Sequence, residues 1–146
     1  MNINNNILSN RTELIDLLNA DLQIEYAAMI QYVNHSAVMK GAAYLKIAEE
    51  TRKHAEEEFG HAKILADYIN YLGGIPTIEI GLVKIADDND SMLELDIEAE
   101  RTSIARYTIR IEQARSVEEF ALVHKLKEII SEEQEHELDF MTALGI

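Results

Sequence analysis

The stretch His54-Ala-Glu-Glu-Glu-Phe-Gly-His61 decides how this chain reads, because Ile129-Ile-Ser-Glu-Glu-Gln-Glu-His136 repeats its key residues. Both contain Glu-x-x-His: Glu58 with His61, and Glu133 with His136. On an α-helix, residues three apart share a face, about 5–6 Å apart at Cβ. A carboxylate and an imidazole so spaced can hold one metal ion between them. A single Glu-x-x-His is weak evidence in a chain with 27 acidic residues, where it is ordinarily a solvated helix face. The surroundings carry the argument. Thirty-three residues before each motif stands another glutamate, Glu25 or Glu100, and seven residues after each of these comes a tyrosine, Tyr32 or Tyr107. The pairs 25/100, 32/107, 58/133 and 61/136 all share one offset of 75 residues. A helix pair used twice produces this arithmetic.

Composition bounds the rest. At 146 residues and 47% hydrophobic, the chain can bury a core of its own and reads as one domain over 1–146. One Pro and six Gly leave long uninterrupted stretches, which favours helix. Cysteine is absent, so disulfides and thiolate ligands are excluded. The net charge of −14 repels nucleic acid and anionic lipid, which argues against either as a partner. Met1-Asn-Ile-Asn-Asn-Asn lacks the basic start and apolar run of a signal peptide. No apolar stretch approaches the roughly 18 residues of a membrane span. The expectation is a cytoplasmic protein.

Four helices are readable behind a frayed start over the first six residues. The first opens at Asn10 with Glu13 as a capping box and carries Leu14, Leu18, Leu22, Glu25, Met29, Tyr32 and Ser36 on one stripe, ending before Gly41. The second runs from Ala42 to Leu72, with Ala48, Thr51, Ala55, Glu58, Ala62, Leu65 and Ile69 on its stripe, and Gly73-Gly-Ile-Pro76 stops it. A connection from Gly74 to Asp90 contains Ile78, Ile80, Leu82, Val83 and Ile85, which predicts packing against the bundle. The third helix opens at Ser91 with Glu94, the fourth at Ser116 with Glu119. Their stripes are Leu93, Ile97, Glu100, Ile104, Tyr107, Ile111 and Phe120, Val123, Leu126, Ile130, Glu133, Phe140, Leu144. Short first and last joints with a long middle one describe an all-α four-helix bundle with one crossover.

The chemistry follows from where the glutamates fall. Glu25, Glu58, Glu100 and Glu133 occupy core positions of the stripes, where an isolated carboxylate must be paired, protonated or metal-bound. Basic residues are scarce on those stripes. Four Glu and two His supply two metal ions with three protein ligands each, or more where carboxylates bridge. Oxygen and imidazole donors without sulfur suit Fe or Mn. Tyr32 and Tyr107 are either core tyrosines or donors to a ligand carboxylate, and the second is the expectation. His54, one turn before Glu58, borders the site or sits on the surface, and the surface is the expectation. His35 and His124 fit neither motif, and Glu56, Glu57, Glu132, Glu135 and Glu137 are expected to face water or an assembly interior.

Asp21-Leu-Gln-Ile-Glu-Tyr-Ala-Ala-Met-Ile-Gln-Tyr32, Glu58-Phe-Gly-His61, Met92-Leu-Glu-Leu-Asp-Ile-Glu-Ala-Glu100, Glu133-Gln-Glu-His136 and the Gly73-Gly-Ile-Pro76 turn together resemble the ferritin-like superfamily, bacterioferritins above all. The resemblance covers about residues 10 to 144. It implies that Glu25 with His61 serves one metal and Glu100 with His136 the other, with Glu58 and Glu133 bridging. It implies a ferroxidase that oxidises Fe(II) with O2 or H2O2 for iron storage or detoxification, holding two Fe per chain, with Mn as an alternative metal. A rubrerythrin-like or manganese-type di-metal peroxidase or oxidase that stores no mineral is the alternative reading. Rubrerythrins carry a further glutamate where this chain has Ser103, and their rubredoxin cysteines are missing. The haem-ligating methionine of bacterioferritins is replaced by Phe59, so no haem is expected. Ten residues follow His136, leaving no clear fifth helix, and a homo-oligomeric shell of twelve chains, as in the Dps-like branch, is favoured over a free dimer, with a shell of twenty-four third. The basic DNA-binding tail of that branch has no counterpart between Met1 and Asn10.

Overall fold

The structure is a computed structural model that describes residues 6–146. The fraying expected of the first residues falls, for 1–5, outside the described residues. Four long helices form the bundle: α1 (Leu14–Val38), α2 (Leu45–Tyr71), α3 (Asn89–Ser116) and α4 (Phe120–Leu144). One 3-10 turn, Arg11–Glu13, leads into α1, and another, Ala42–Tyr44, leads into α2. α1 packs chiefly on α2 and α3 on α4, so the two halves of the repeat are two antiparallel hairpins laid against each other.

The helix boundaries show which local signals decide. The capping box at Asn10 forms as read: the Asn10 side chain accepts from Thr12 N at 3.0 Å and Glu13 reaches back to Asn10 N at 2.9 Å. α2 ends in a Schellman turn, with Gly73 N donating to Asn70 O and Gly74 N to Ile69 O at 2.9 Å. Gly73 takes φ +92°, open to glycine without strain. A Cβ on Gly74 would lie 2.5 Å from Ile15 Cγ2, so only glycine lets the chain turn back this close to α1. Two start signals were misread. α3 is capped three residues before the expected Ser91, because Asp88 accepts from Ser91 N at 2.8 Å and from Ser91 Oγ at 2.7 Å. A carboxylate in extended backbone satisfies two donors there, and Ser91 is its partner rather than the cap. Ser116 is the last residue of α3, donating to Gln113 O at 2.7 Å. The turn is made instead at Glu118, with φ 59°, and α4 starts at Phe120, whose ring is exposed rather than core.

The connection between α2 and α3 runs the length of α1. Asn19 Nδ2 donates to Ile75 O at 3.1 Å and Asn19 Oδ1 accepts from Thr77 N at 2.8 Å. Gly81 N donates to Gln23 O at 2.9 Å and Lys84 N to Gln31 Oε1 at 3.0 Å, and Asn89 closes on the backbone of Lys40. From residue 19 to 40 is about 30 Å of helix, so the crossover from one end of the bundle to the other is real. Its packing is not as expected. The backbone bonds to α1 while Ile75, Ile78, Ile80, Leu82 and Ile85 turn outward, leaving an exposed apolar strap.

Two apolar cores fill the bundle above and below a polar middle layer. One gathers Leu14, Leu18, Leu22, Leu65, Ile69, Ile111, Leu122, Leu126 and Ile129. The other gathers Ile47, Ala55, Leu93, Ile97 and Phe140. Tyr107 closes the first toward the middle and Tyr32 the second.

Candidate metal centre

Each helix delivers its part of the middle layer from near its own centre: Glu25 from α1, Glu58 and His61 from α2, Glu100 from α3, Glu133 and His136 from α4. All six side chains are buried. They form two overlapping four-residue groups, Glu25-Glu58-His61-Glu133 and Glu58-Glu100-Glu133-His136, with the donor atoms of each within 4.8 Å of one another. Glu58 and Glu133 belong to both. His61 Nδ1 lies 3.1 Å from Glu58 Oε2, 3.2 Å from Glu133 Oε1 and 3.6 Å from Glu25 Oε2. His136 Nδ1 lies 3.1 Å from Glu58 Oε1, 3.2 Å from Glu100 Oε1 and 3.9 Å from Glu133 Oε1. Both imidazoles thus turn Nδ1 to the carboxylates and Nε2 away.

What holds these groups crosses between the hairpins. Tyr107 OH donates to Glu25 Oε1, and Tyr32 OH donates to Glu100 Oε1. Each tyrosine serves the glutamate of the other half, not the one seven residues before it. His61 Nε2 meets Glu132 Oε2 at 2.7 Å, and His136 Nε2 meets Glu57 Oε2. These two outer carboxylates also cross from one helix to the motif of the other. A carboxylate on Nε2 fixes the tautomer that leaves Nδ1 free to give its lone pair to a metal. Flanking them, Asp21 is gripped by Arg110 at 2.7 Å and Arg106 at 2.9 Å, while Asp96 accepts from Gln31 at 2.8 Å and faces His35 Nδ1 at 2.7 Å. These two networks hold α1 to α3 on either side of the centre.

The electrostatics demand cations. Among the described residues none of the four carboxylates pairs with a Lys or Arg; their ionic partners are His61 and His136. Burial, then the charges on Glu25 and Glu100, pushes Glu58 up to about 8. Burial, then Glu58, Glu100 and Glu25, pushes Glu133 far above the carboxylate range. Burial also raises Glu100, whereas for Glu25 the hydrogen bond from Glu58 and the charge on His61 outweigh burial and hold it low. Burial would lower His136, but Glu100 and Glu58 drive it up to about 12, and His61 goes further in the same direction. Without a metal, protons must do the neutralising. Glu100 Oε2 is buried with no hydrogen-bond partner, and Glu133 Oε1 has only its ionic contacts with His61 and His136, as oxygens awaiting a cation would be. The donor set, carboxylate and imidazole only, fits Fe or Mn. Tyr32 and Tyr107 are raised by burial and by Glu100 and Glu25 respectively, so both remain neutral donors.

The family model of the ferritin-like domain matches residues 15–145. The chain belongs to the ferritin-like family. Among solved structures it is similar to a ferritin-like, diiron-carboxylate protein of Bacillus anthracis, at 34% identity and TM-score 0.87 over 97% of this chain and 99% of that one. It is also similar to a dodecameric thioferritin of Bacteroides fragilis, a bacterioferritin-related protein, at 32% identity and TM-score 0.84 over 91% and 84%. The bacterioferritin of Streptomyces coelicolor is 29% identical over 91% of this chain and 84% of its own. No helix among the described residues is long and apolar enough to cross a membrane.

The structure brings together all six ligand candidates read from this ferritin-like sequence, and both tyrosines with them. Glu57 and Glu132, expected to face water or an assembly interior, do stay about half exposed, at 46% and 47%, yet each also meets the outer nitrogen of a histidine, and they too are 75 residues apart. Extending that offset pairs them in sequence, as it pairs Asp21 with Asp96, but it does not show that either reaches a neighbouring ring. One residue was misjudged. His54 is not on the surface: it is 4% exposed and stacks on His136 at 3.9 Å between ring centroids. His124 does face solvent, beside Glu128.

Proposed function

We propose that this ferritin-like chain is a ferroxidase, an oxidoreductase that takes Fe(II) as substrate at the centre of its bundle and passes electrons to O2 or H2O2. The observation that carries the reading is the pair of overlapping four-residue groups that share Glu58 and Glu133. Glu25 and His61 would hold one metal ion, Glu100 and His136 the second, and Glu58 and Glu133 would bridge. Two Fe(II) ions held side by side supply two electrons together, which matches reduction of O2 to peroxide or of peroxide to water. The protein's own contribution is positional. Four carboxylates offset the charge that iron gains, the two apolar cores exclude bulk water, and the crossed tyrosines fix Glu25 and Glu100 without adding charge.

Storage is the second half of the proposal. The relatives include bacterioferritins and a dodecameric thioferritin. The strap of Ile75, Ile78, Ile80, Leu82 and Ile85 offers apolar area for contact between copies. We place the chain in a homo-oligomeric shell of twelve, with the acidic excess drawing cations inward. Aerobic Fe(II) loading followed by desalting tests it. Iron retained far beyond two per chain supports a storage ferroxidase. Rapid oxidation with only two retained removes storage and leaves a stand-alone oxidase or peroxidase, and no rapid oxidation removes the reading altogether.

A further inference from the structure

Between α1 and α3, beneath the crossover, lies a pocket of about 170 Å³. Its walls come in pairs 75 residues apart: Ile24 with Ala99, Ala27 with Thr102, and Ala28 with Ser103. Mates from both halves facing one space set the pocket on the axis that relates the two hairpins. Ala28 and Ser103 each stand one helical turn beyond a candidate ligand, Glu25 and Glu100. A molecule seated here therefore addresses the two four-residue groups from equivalent positions.

The mouth of the pocket carries no excess charge, because Lys84 Nζ pairs with Glu98 Oε1 at 3.1 Å. The other end of the axis, between α2 and α4, presents the half-exposed carboxylates Glu57 and Glu132 instead. Cations are drawn to that end, and a neutral solute meets no barrier at this one. An apolar cavity of about 150 Å³ takes up benzene or xenon, so the space is ample for a molecule with two oxygen atoms.

The polar lining is engaged except at one residue. Gln31 donates to Asp96 at 2.8 Å and accepts from Lys84 N at 3.0 Å, and Thr102 Oγ1 donates to Glu98 O at 2.9 Å. Ser103 is 4% exposed, and its hydroxyl makes no hydrogen bond among the described residues. Buried polar groups are ordinarily paired, so a free hydroxyl lining a cavity marks the place of a polar guest. Ser103 also lines a narrower gap with Asp21, Ile24, Arg106 and Tyr107, which has no room for a water molecule. Tyr107 in turn donates to Glu25. Ser103 thus stands between the pocket and the carboxylate layer, and no hydrogen bond hinders its hydroxyl from turning.

We propose that this pocket binds the small neutral oxidant, with H2O2 held by a hydrogen bond to Ser103, and delivers it to the centre from the face opposite Glu57 and Glu132. The apolar walls suit O2 and H2O2 alike, but only H2O2 both donates to and accepts from a hydroxyl. The proposal rests on the ferroxidase reading, and its test separates the two.

Crystals of the full-length, metal-free protein pressurised with xenon give a readout that needs no catalysis. We expect a xenon peak between Ala27 and Ala99, and its loss in Ala99→Leu. In stopped-flow oxidation, Ser103→Ala should raise the KM for H2O2 about 5-fold, the worth of one neutral hydrogen bond, and that for O2 far less. Ala99→Leu should lower kcat/KM for both oxidants, with two Fe(II) still bound per chain in anaerobic titration. No xenon peak in this pocket of the unaltered protein, or a KM for H2O2 that Ser103→Ala shifts no more than that for O2, overturns the proposal and leaves the ferroxidase reading standing. Absence of rapid oxidation with either oxidant, in protein that takes up xenon, removes that reading and the delivery role with it.

Discussion

At Glu133 a single side chain serves both halves of the centre, whereas Glu25 serves one. Glu133→Ala should therefore cut Fe(II) oxidation by more than the roughly 10–100-fold that loss of an outer-shell partner costs, and Glu25→Ala should cut it less. Helical content should be unchanged. In chelator, the urea stability of Glu133→Ala should be within about 1 kcal/mol of the parent or above it, because one of four mutually repelling buried carboxylates is removed. Parental oxidation rates in this variant would contradict the bridging role. The tyrosines are tested together: Tyr32→Phe with Tyr107→Phe leaves Glu100 and Glu25 each short of a donor and should lower metal affinity about 10-fold. Unchanged affinity in a competition titration would reduce them to packing residues. The candidate ligands were legible because periodicity puts a carboxylate on a core stripe only where something neutralises it. Glu57, Glu132 and His54 were not, because whether a helix-flank side chain reaches solvent or a neighbouring ring depends on interhelical rotation. No single-helix pattern encodes that angle.

Elements were legible in existence and order, and less so at their ends. Asn10 with Glu13 and the Gly73-Gly74 stop acted as read, since each is a local motif with its own hydrogen bonds. Ser91 and Ser116 misled because a serine can also be the donor to a stronger neighbouring cap, or donate back into the helix it ends. The crossover's route was legible from its length, but its outward apolar strap was not: the backbone groups, not the side chains, make its contacts with α1. The tight approach of Gly74 to Ile15 gives a prediction at this scale. Gly74→Ala should destabilise the protein by about 1–3 kcal/mol in urea unfolding, because the β-branched Ile15 and Ile69 side chains have little freedom to withdraw. A loss below a few tenths of a kcal/mol would show that the turn relaxes.

At the scale of the whole molecule, the fold and the paired centre are one design: two hairpins, related by the 75-residue repeat, each contribute half of a site that neither completes. Assembly is the next level. Light scattering at physiological salt should give a mass near twelve times 16.6 kDa; a mass of one or two chains would contradict the shell and the storage role with it. The purified protein should show no Soret band scaling with protein concentration, because Phe59 has no lone pair to offer haem iron. The most direct test of the central claim is the stoichiometry of the fast reaction. Stopped-flow mixing of the protein with increasing Fe(II) in air should give a rapid ferric absorbance whose amplitude saturates at two Fe(II) per chain. Saturation at one per chain, or no rapid phase at all, would contradict a shared two-metal centre.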